Sequence, residues 1–513
     1  MSVLAVDVGT SMIKTVVFDD DGTEVAVSRQ ATHVHRPRPG WAEQDMAAVW
    51  NAVVRTMRGA LAQVRDEVRF VAFTAQGDGC WLVDDDGRPT GPAILWSDGR
   101  AAPLVEGWRG AGVLDEAFRL NGSLTFPGLP NAILAWLAEH DPERLARSSA
   151  ALYCGGWLFL RFTGERAVDE SDASAPFLDP STRTYSPRVR SLFGLDWAER
   201  LMPEVRGNGR RGGALTAMAA AELGLPAGLP VVMAPYDVAS TAIGVGATAP
   251  GQACTILGTT LCTEVVRDGL DTTGEPSGLT IALDSRGHLL RAFPTLAGTE
   301  VVTWAMRLLG LETPEEFGEL AQRSQPGARG LMFLPYLSPA GERAPFLDPG
   351  ARGTLWGLDL QHEPADVARA VFEGLTFVIR DCLAASGAAT GELRVCGGGA
   401  VSDAWRRLIA DVTGLSTVRT TDSEVGAKGA FLSGLVSLGH EPDLTRAAER
   451  HVRVRTTDEP DPGRAAFYAD RHEDFLALRR AAAPGWERMA RAPRTVPGSL
   501  DPVGGATEGK HHD

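Results

Sequence analysis

The segment Asp7-Val8-Gly9-Thr10-Ser11 puts a carboxylate, a glycine and two hydroxyls into one tight turn. A glycine flanked by Thr and Ser aims backbone N–H groups and hydroxyls at one point, an arrangement suited to phosphate oxygens. A carboxylate at the entry cannot bind phosphate directly, but it can hold a hydrated magnesium ion that does. A plain hairpin tip is the competing reading. Gly258-Thr259-Thr260 repeats the arrangement half a chain later, and two such tips could clamp a polyphosphate from both sides. Gly397-Gly398-Gly399 permits close approach of a flat ring or a phosphate to the backbone, and Ser402 beyond it suits a helix N-cap. Asp237 follows the apolar run Val231-Val232-Met233-Ala234 and precedes a stretch of small residues. It could cap a helix. It could equally stay ionised in the helix dipole and accept a proton from a hydroxyl, which is what a phosphoryl acceptor needs besides positioning.

The surrounding pattern supplies elements to hold these groups. Leu4-Ala5-Val6, Ile13–Phe18 and Glu24–Val27 read as a meander of three short strands, turned at Gly9 and at Asp21-Gly22. Residues 253–257 and 261–266 repeat strand, hydroxyl turn and strand, with Gly258 equivalent to Gly9. Such a repeat predicts two similar lobes, with chance similarity of hairpin tips as the alternative. An amphipathic helix is expected over 46–64, strands over 69–75 and 81–85, a helix over 131–140 and one apolar element over 149–160. Residues 393–396 form a strand entering the triple glycine, with a helix after Ser402. Past 436 the pattern is helical, and after about 494 it is Pro/Gly-rich and reads as disordered.

Composition narrows the function classes. A chain of 513 residues suggests roughly two to four domains. The formal charge of −15 argues against an electrostatic nucleic-acid binder. No run reaches the roughly 18 apolar residues of a membrane helix, and the start lacks a basic region before its apolar residues. Six cysteines without a C-x-x-C pair read as reduced core thiols, so a cytoplasmic protein without zinc is expected. His511 and His512 read as part of a frayed tail. No G-x-x-x-x-G-K-[ST] occurs, which excludes a P-loop. Gly244-Val245-Gly246-Ala247-Thr248-Ala249 imitates a dinucleotide fingerprint without the strand before it or the helix after it.

Further segments carry a resemblance. Gly353-Thr354-Leu355-Trp356-Gly357-Leu358 followed by Asp366–Glu373, Pro335-Tyr336-Leu337-Ser338 with Gly341-Glu342-Arg343-Ala344-Pro345, Gly40–Asp45 and Ile94–Arg100 together resemble the FGGY carbohydrate kinases, over about residues 2–440. The first family signature fits less well, since Ile133 stands where the pattern has Lys. Gly155-Gly156-Trp157 also departs from a Lys-Asp-aromatic run. The resemblance implies an α/β fold of two ribonuclease-H-like domains, of the actin/hexokinase type, around a cleft. It implies ATP and Mg2+ as cofactors and a small sugar or polyol as partner, with no nucleic acid and no membrane; a homodimer is left open. The implied divisions are 1–247, which carries the sugar site, 248–440, which carries the nucleotide site, a helical extension over 441–493 and a tail over 494–513.

Carried over by motif, Asp237 is the general base and Asp7 the magnesium-side carboxylate. Thr10, Ser11 and Lys14 become first-lobe phosphate contacts, Gly258, Thr259 and Thr260 the second phosphate loop, and Gly398, Gly399 and Ser402 the adenosine site. Thr74–Trp81 occupies the family's sugar loop, and its wording resembles the erythritol and L-xylulose kinase subgroup, as do Pro235–Ala242 and Ser338–Arg343. Gln76, Asp78, Trp81 and Trp157 are therefore candidate substrate contacts. Asp78 could instead be a turn residue, Trp81 and Trp157 plain core, and Asp98 with Arg100 a loop salt bridge. The expected function is ATP-dependent phosphorylation of a terminal hydroxyl of a small polyol or ketopentose. D-xylulose kinase proper is the near alternative. An actin- or chaperone-like nucleotide switch, a silent sugar-binding regulator and an NAD-dependent dehydrogenase are the distant ones.

Overall fold

Along Ser2–Val8 nearly every side chain is buried: Leu4, Val6 and Val8 enter one apolar cluster, and Val3 and Ala5 enter another on the opposite face. A strand covered on both faces has no polar side, hence its near-continuous apolar run. The computed structural model describes residues 2–207, 209–387 and 391–491. The strands used below are β1 (Ser2–Val8), β2 (Met12–Phe18), β3 (Glu24–Ala31), β4 (Val68–Ala75), β5 (Gly212–Ala214), β6 (Pro230–Met233), β7 (Ala253–Leu257), β8 (Leu261–Arg267), β9 (Leu279–Ala282), β10 (Leu289–Pro294), β11 (Glu392–Cys396), β12 (Ser416–Thr420) and β13 (Val454–Asp458). The helices are α1 (Met46–Leu61), α2 (Cys154–Thr163), α3 (Glu170–Ala173), α4 (Asp237–Gly244), α5 (Pro364–Ala385), α6 (Asp403–Thr413), α7 (Val425–Ser437) and α8 (Pro462–Arg491).

The N-terminal sheet runs β5-β6-β4-β1-β2-β3 and the C-terminal sheet β9-β10-β8-β7-β11-β12-β13. Within them, β3-β2-β1-β4-β6 and β10-β8-β7-β11-β12 share one order. In both, the first three of these strands in sequence each run antiparallel to the one before, and the next two lie parallel to the first. The hairpin repeat thus reflects two lobes of one α/β topology, and Gly9 and Gly258 sit at equivalent tips.

Between the sheets lies a shared apolar core. Phe18, Phe70 and Val232 come from one lobe, Val266, Ile281 and Leu290 from the other, with α4 and α7 threaded between. The two helices cross at glycine. A Cβ on Gly429 would fall on the Ser240 carbonyl oxygen, and one on Gly244 on the Val425 carbonyl oxygen. Lys428 of α7, buried, reaches the Gly22 carbonyl of the first lobe and pairs with Asp422 at 3.1 Å.

Two sequence expectations are corrected. The apolar element over 149–160 splits into a strand, Ala150–Leu152, and α2. The extension over 441–493 is not wholly helical, because β13 pairs antiparallel with β12. Val-Arg-Thr-Thr-Asp is a β-branched run with exposed alternate positions, suited to a sheet edge. The extension is also not an appendage, since Tyr468, Phe475 and Trp486 of α8 are buried in the C-terminal core. The tail over 494–513 lies outside the described residues. Among the described residues no helix is long and apolar enough to cross a membrane.

Candidate active site

The β1–β2 turn is closed by the Val8↔Ile13 pair, with Gly9 N–H donating to the Met12 carbonyl at 3.1 Å. Asp7 lies opposite Lys14 across the ladder. The Lys14 ammonium is 3.9 Å from Asp7 Oδ2 and 2.9 Å from Glu424 Oε2. Lys14, expected at phosphate, therefore stands as a strut between Asp7 and the C-terminal half of the chain. Glu424 immediately precedes α7, and a side chain on Gly426 would begin 2.8 Å from Asp7 Oδ2. Burial pushes Asp7 up to about 6, against the pull of Lys14 and with the help of Glu424.

Thr10 also differs from expectation. Its hydroxyl donates to Gln76 Oε1 at 2.7 Å and accepts from Trp96 Nε1 at 2.9 Å. In this structure its one proton goes to the sugar loop. Ser11 is exposed at the tip, tied through its carbonyl to Thr32 N–H at 3.0 Å.

In the second lobe β7 and β11 are parallel neighbours, so their carboxyl ends deliver Gly258 and Gly397 side by side. Leu257↔Leu261 closes the turn at Gly258-Thr259-Thr260, and Thr259 is exposed. Thr299 N–H donates to the Gly258 carbonyl at 2.9 Å, and a Cβ on Gly298 would strike the Thr260 backbone. Gly397 takes φ 84°, Gly398 opens to free space, and Gly399 lies against the Trp405 ring and Leu257. Ser402 caps α6 by accepting Trp405 N–H at 3.3 Å.

Asp237 stands beyond β6, beside the end of β4, where Thr74 donates to the Pro235 carbonyl at 2.7 Å. Tyr236 holds the N-cap position of α4 without a capping side chain, and Asp237 is the first helical residue. Its Oδ1 accepts the N–H of the adjacent Val238, at 2.8 Å, and not one two or three residues on, so the helix-cap reading gives way. The carboxyl is half-buried. Burial, then the charges of Asp7 and Asp78, push it up to about 7, restrained by hydrogen bonds from Val238 and Gly77.

The sugar loop is built against that helix start. Asp78 takes a positive φ of 54°, uncommon for a residue with a side chain and characteristic of functional sites. A Cβ on Gly77 would overlap the Tyr236 ring, so glycine there is what admits the tyrosine. Burial raises Asp78 to about 7, opposed by Arg343 of the other lobe. The Arg343 guanidinium lies 4.6 Å from the Phe126 ring centre, and its Nε donates to the Pro294 carbonyl at 2.8 Å.

Other candidates change role. Gln76 is buried, accepting from Thr10 and donating to Gln44 Oε1 at 2.8 Å, which makes it a brace beneath the loop. Trp81 and Trp157 are buried in the N-terminal core with ring centres 5.5 Å apart, so they support the site without facing it. Asp98 and Arg100 form a buried ion pair at 2.8 Å; Arg100 also reaches Glu43 at 2.7 Å and stacks over Trp41. A side chain on Gly156 would meet the Ala167 carbonyl at 2.7 Å, so that departure serves the packing of α2. Sequence reasoning missed Glu424, Asp172 and the part played by Tyr236. Each has its meaning only through a partner distant in the chain, and the spacing of its neighbours carries no signal of it.

The described residues match the N-terminal domain model of the FGGY family of carbohydrate kinases over 2–244 and the C-terminal domain model over 253–438. The chain is 33% identical to an erythritol kinase of Brucella abortus, over 95% of this chain and 98% of that protein. It is 32% identical to a xylulose kinase of Escherichia coli, over 94% and 99% of the two chains. The crystal structure of xylulose kinase from Rhodospirillum rubrum superimposes with a TM-score of 0.86 at 26% identity, covering 95% of this chain and 100% of that one.

Proposed function

Because the chain belongs to the FGGY family of carbohydrate kinases and is itself a sugar kinase, we propose that its acceptor is a small neutral polyol of the erythritol type, phosphorylated by ATP on a terminal hydroxyl. The observation that carries the substrate reading is the interlock of Gly77 with the Tyr236 ring beside Asp78. The ring fills space that a side chain at 77 would take, and the carboxyls of Asp78 and Asp237 both act on it, acceptors suited to several hydroxyls. The relationship to an erythritol kinase supports the same choice.

In this reading Asp237 takes the proton of the attacking hydroxyl as its oxygen bonds to the γ-phosphorus and the bond from phosphorus to the ADP oxygen breaks. A carboxylate raised to about 7 is a better proton acceptor at neutral pH than an ordinary one. Ser11 and the Gly258–Thr260 turn hold phosphates from the two lobes, and the Gly398-Gly399 turn with Ser402 receives the adenosine. Asp7 fits a magnesium-side role, as a buried carboxylate whose ionisation is opposed and whose nearest cation is Lys14 at 3.9 Å. Mg2+ bound there through water would neutralise phosphate charge. Such an ion needs no protein cage, and among the described residues no group of three or more His, Cys, Asp or Glu forms one.

The test is the initial rate of ADP formation from Mg-ATP with erythritol, threitol, D- and L-xylulose, D- and L-ribulose, ribitol, glycerol and gluconate. A tetritol is expected to show a kcat/KM at least about tenfold above the ketopentoses, the discrimination one well-placed hydroxyl contact supplies. A ketopentose as best acceptor would refute the tetritol assignment and favour the xylulose-type alternative. ADP formation indifferent to every acceptor would favour a nucleotide switch.

A further inference from the structure

Tyr236 is buried, yet among the described residues its hydroxyl has no hydrogen-bond partner. A buried hydroxyl left unpaired is costly, and Tyr236 is otherwise firmly fixed. Its N–H donates to Ser171 Oγ at 3.0 Å, and its ring fills the space above Gly77. Ser171 precedes Asp172 on α3, and Asp172 is a second orphan: 2% exposed, with Oδ1 unpartnered among the described residues. A side chain at Gly155 would begin 3.1 Å from Asp172 Oδ2, so glycine there leaves the carboxyl its room. The two orphans share surroundings. Asp78, Asp237 and Asp172 all act electrostatically on Tyr236, and Asp78 and Asp237 on Asp172.

We infer that Tyr236 and Asp172 are specificity-determining residues that together bind a non-reacting hydroxyl of the polyol, the tyrosine from the start of α4 and the carboxyl from α3, two elements joined by the Tyr236 N–H to Ser171 Oγ bond. The inference deepens the polyol-kinase reading and rests on it. Burial, then Asp169, Asp78 and Asp237, push the Asp172 carboxyl well above the usual carboxylate range. A phenol and a carboxyl together offer an alcohol both a donor and an acceptor. A carboxylate-bearing acceptor such as gluconate meets Asp78 and Asp237 there instead, and is disfavoured.

The test compares wild type with Tyr236→Phe and Asp172→Asn on the best acceptor of the panel and on its monodeoxy analogues. Tyr236→Phe keeps the ring over Gly77 and is expected to raise KM roughly 10- to 100-fold with kcat within about twofold. For the one analogue that lacks the bound hydroxyl, the penalty should shrink to about twofold or less. Asp172→Asn should show the same analogue dependence. Calorimetric binding of the acceptor to each variant gives a readout independent of turnover and should weaken by the same factor. An equal penalty on every analogue, or unchanged affinity in Tyr236→Phe, would overturn the assignment. Because the best acceptor is whichever the panel selects, failure of the tetritol reading and failure of this one are separate results.

Discussion

Asp237→Asn is expected to keep ATP and polyol binding while lowering kcat by roughly two or more decades, the contribution of a positioned general base. The substitution is nearly isosteric and still offers an oxygen to the Val238 N–H that Asp237 Oδ1 accepts, so the start of α4 should survive. It should also raise the melting temperature of the ligand-free protein at pH 8. The sign follows from the raised carboxyl. A group near 7 in the folded protein and 3.8 in a free side chain binds its proton more tightly when folded. The stability it contributes is therefore present at low pH and lost as pH rises through about 7. At pH 8 the wild type holds this charge beside Asp7 and Asp78, and asparagine removes it. A variant with near-normal turnover would return Asp237 to a structural role, and a lower melting temperature would contradict the electrostatic account.

Gly429→Ala should be strongly damaging although it lies away from the chemistry. In an exposed helix this change stabilises by about 1 kcal/mol, through propensity alone. Here the new methyl would fall on the Ser240 carbonyl oxygen of the crossing helix, and forcing atoms into a packed core costs about 1–3 kcal/mol or more. Close approach outweighs propensity, so thermal unfolding should show a net loss. Turnover should fall with it, because α4 carries Asp237 on its first turn and cannot shift without moving the carboxyl. A gain in stability would mean that the two helices do not meet at these glycines.

The same crossing shows what a linear sequence can and cannot disclose. The hairpin tips at Gly9 and Gly258 were legible because strand alternation and turn residues are local signals, and the matching strand orders of the two sheets give that repeat its structural meaning. Asp237 was legible as a carboxylate after a buried strand, but its rank as cap or base depended on Tyr236 holding the cap position. Lys14 resembled a phosphate contact, and nothing in its neighbourhood of sequence foretold the 2.9 Å ion pair with Glu424 from the far end of the chain. Trp81 and Trp157 have the same composition signal in a core as in a sugar pocket, and only burial separates the two. β13 was missed because five residues at a sheet edge carry too few periods to stand out from a helical neighbourhood. Asp172 was invisible for a different reason: its significance is a buried oxygen without a partner among the described residues, and an absence has no pattern.

The central claim is that a carboxyl at 237, raised by burial beside Asp7 and Asp78, takes the proton of a small polyol. The most direct measurement is kcat/KM for the preferred acceptor, at saturating ATP, from pH 5 to pH 9. The account predicts a rise of about tenfold per pH unit on the acid side, levelling at or somewhat below the value of about 7 in the ligand-free protein, since a cation neutralising Asp7 removes part of what raises Asp237. A profile level across the whole range would contradict it.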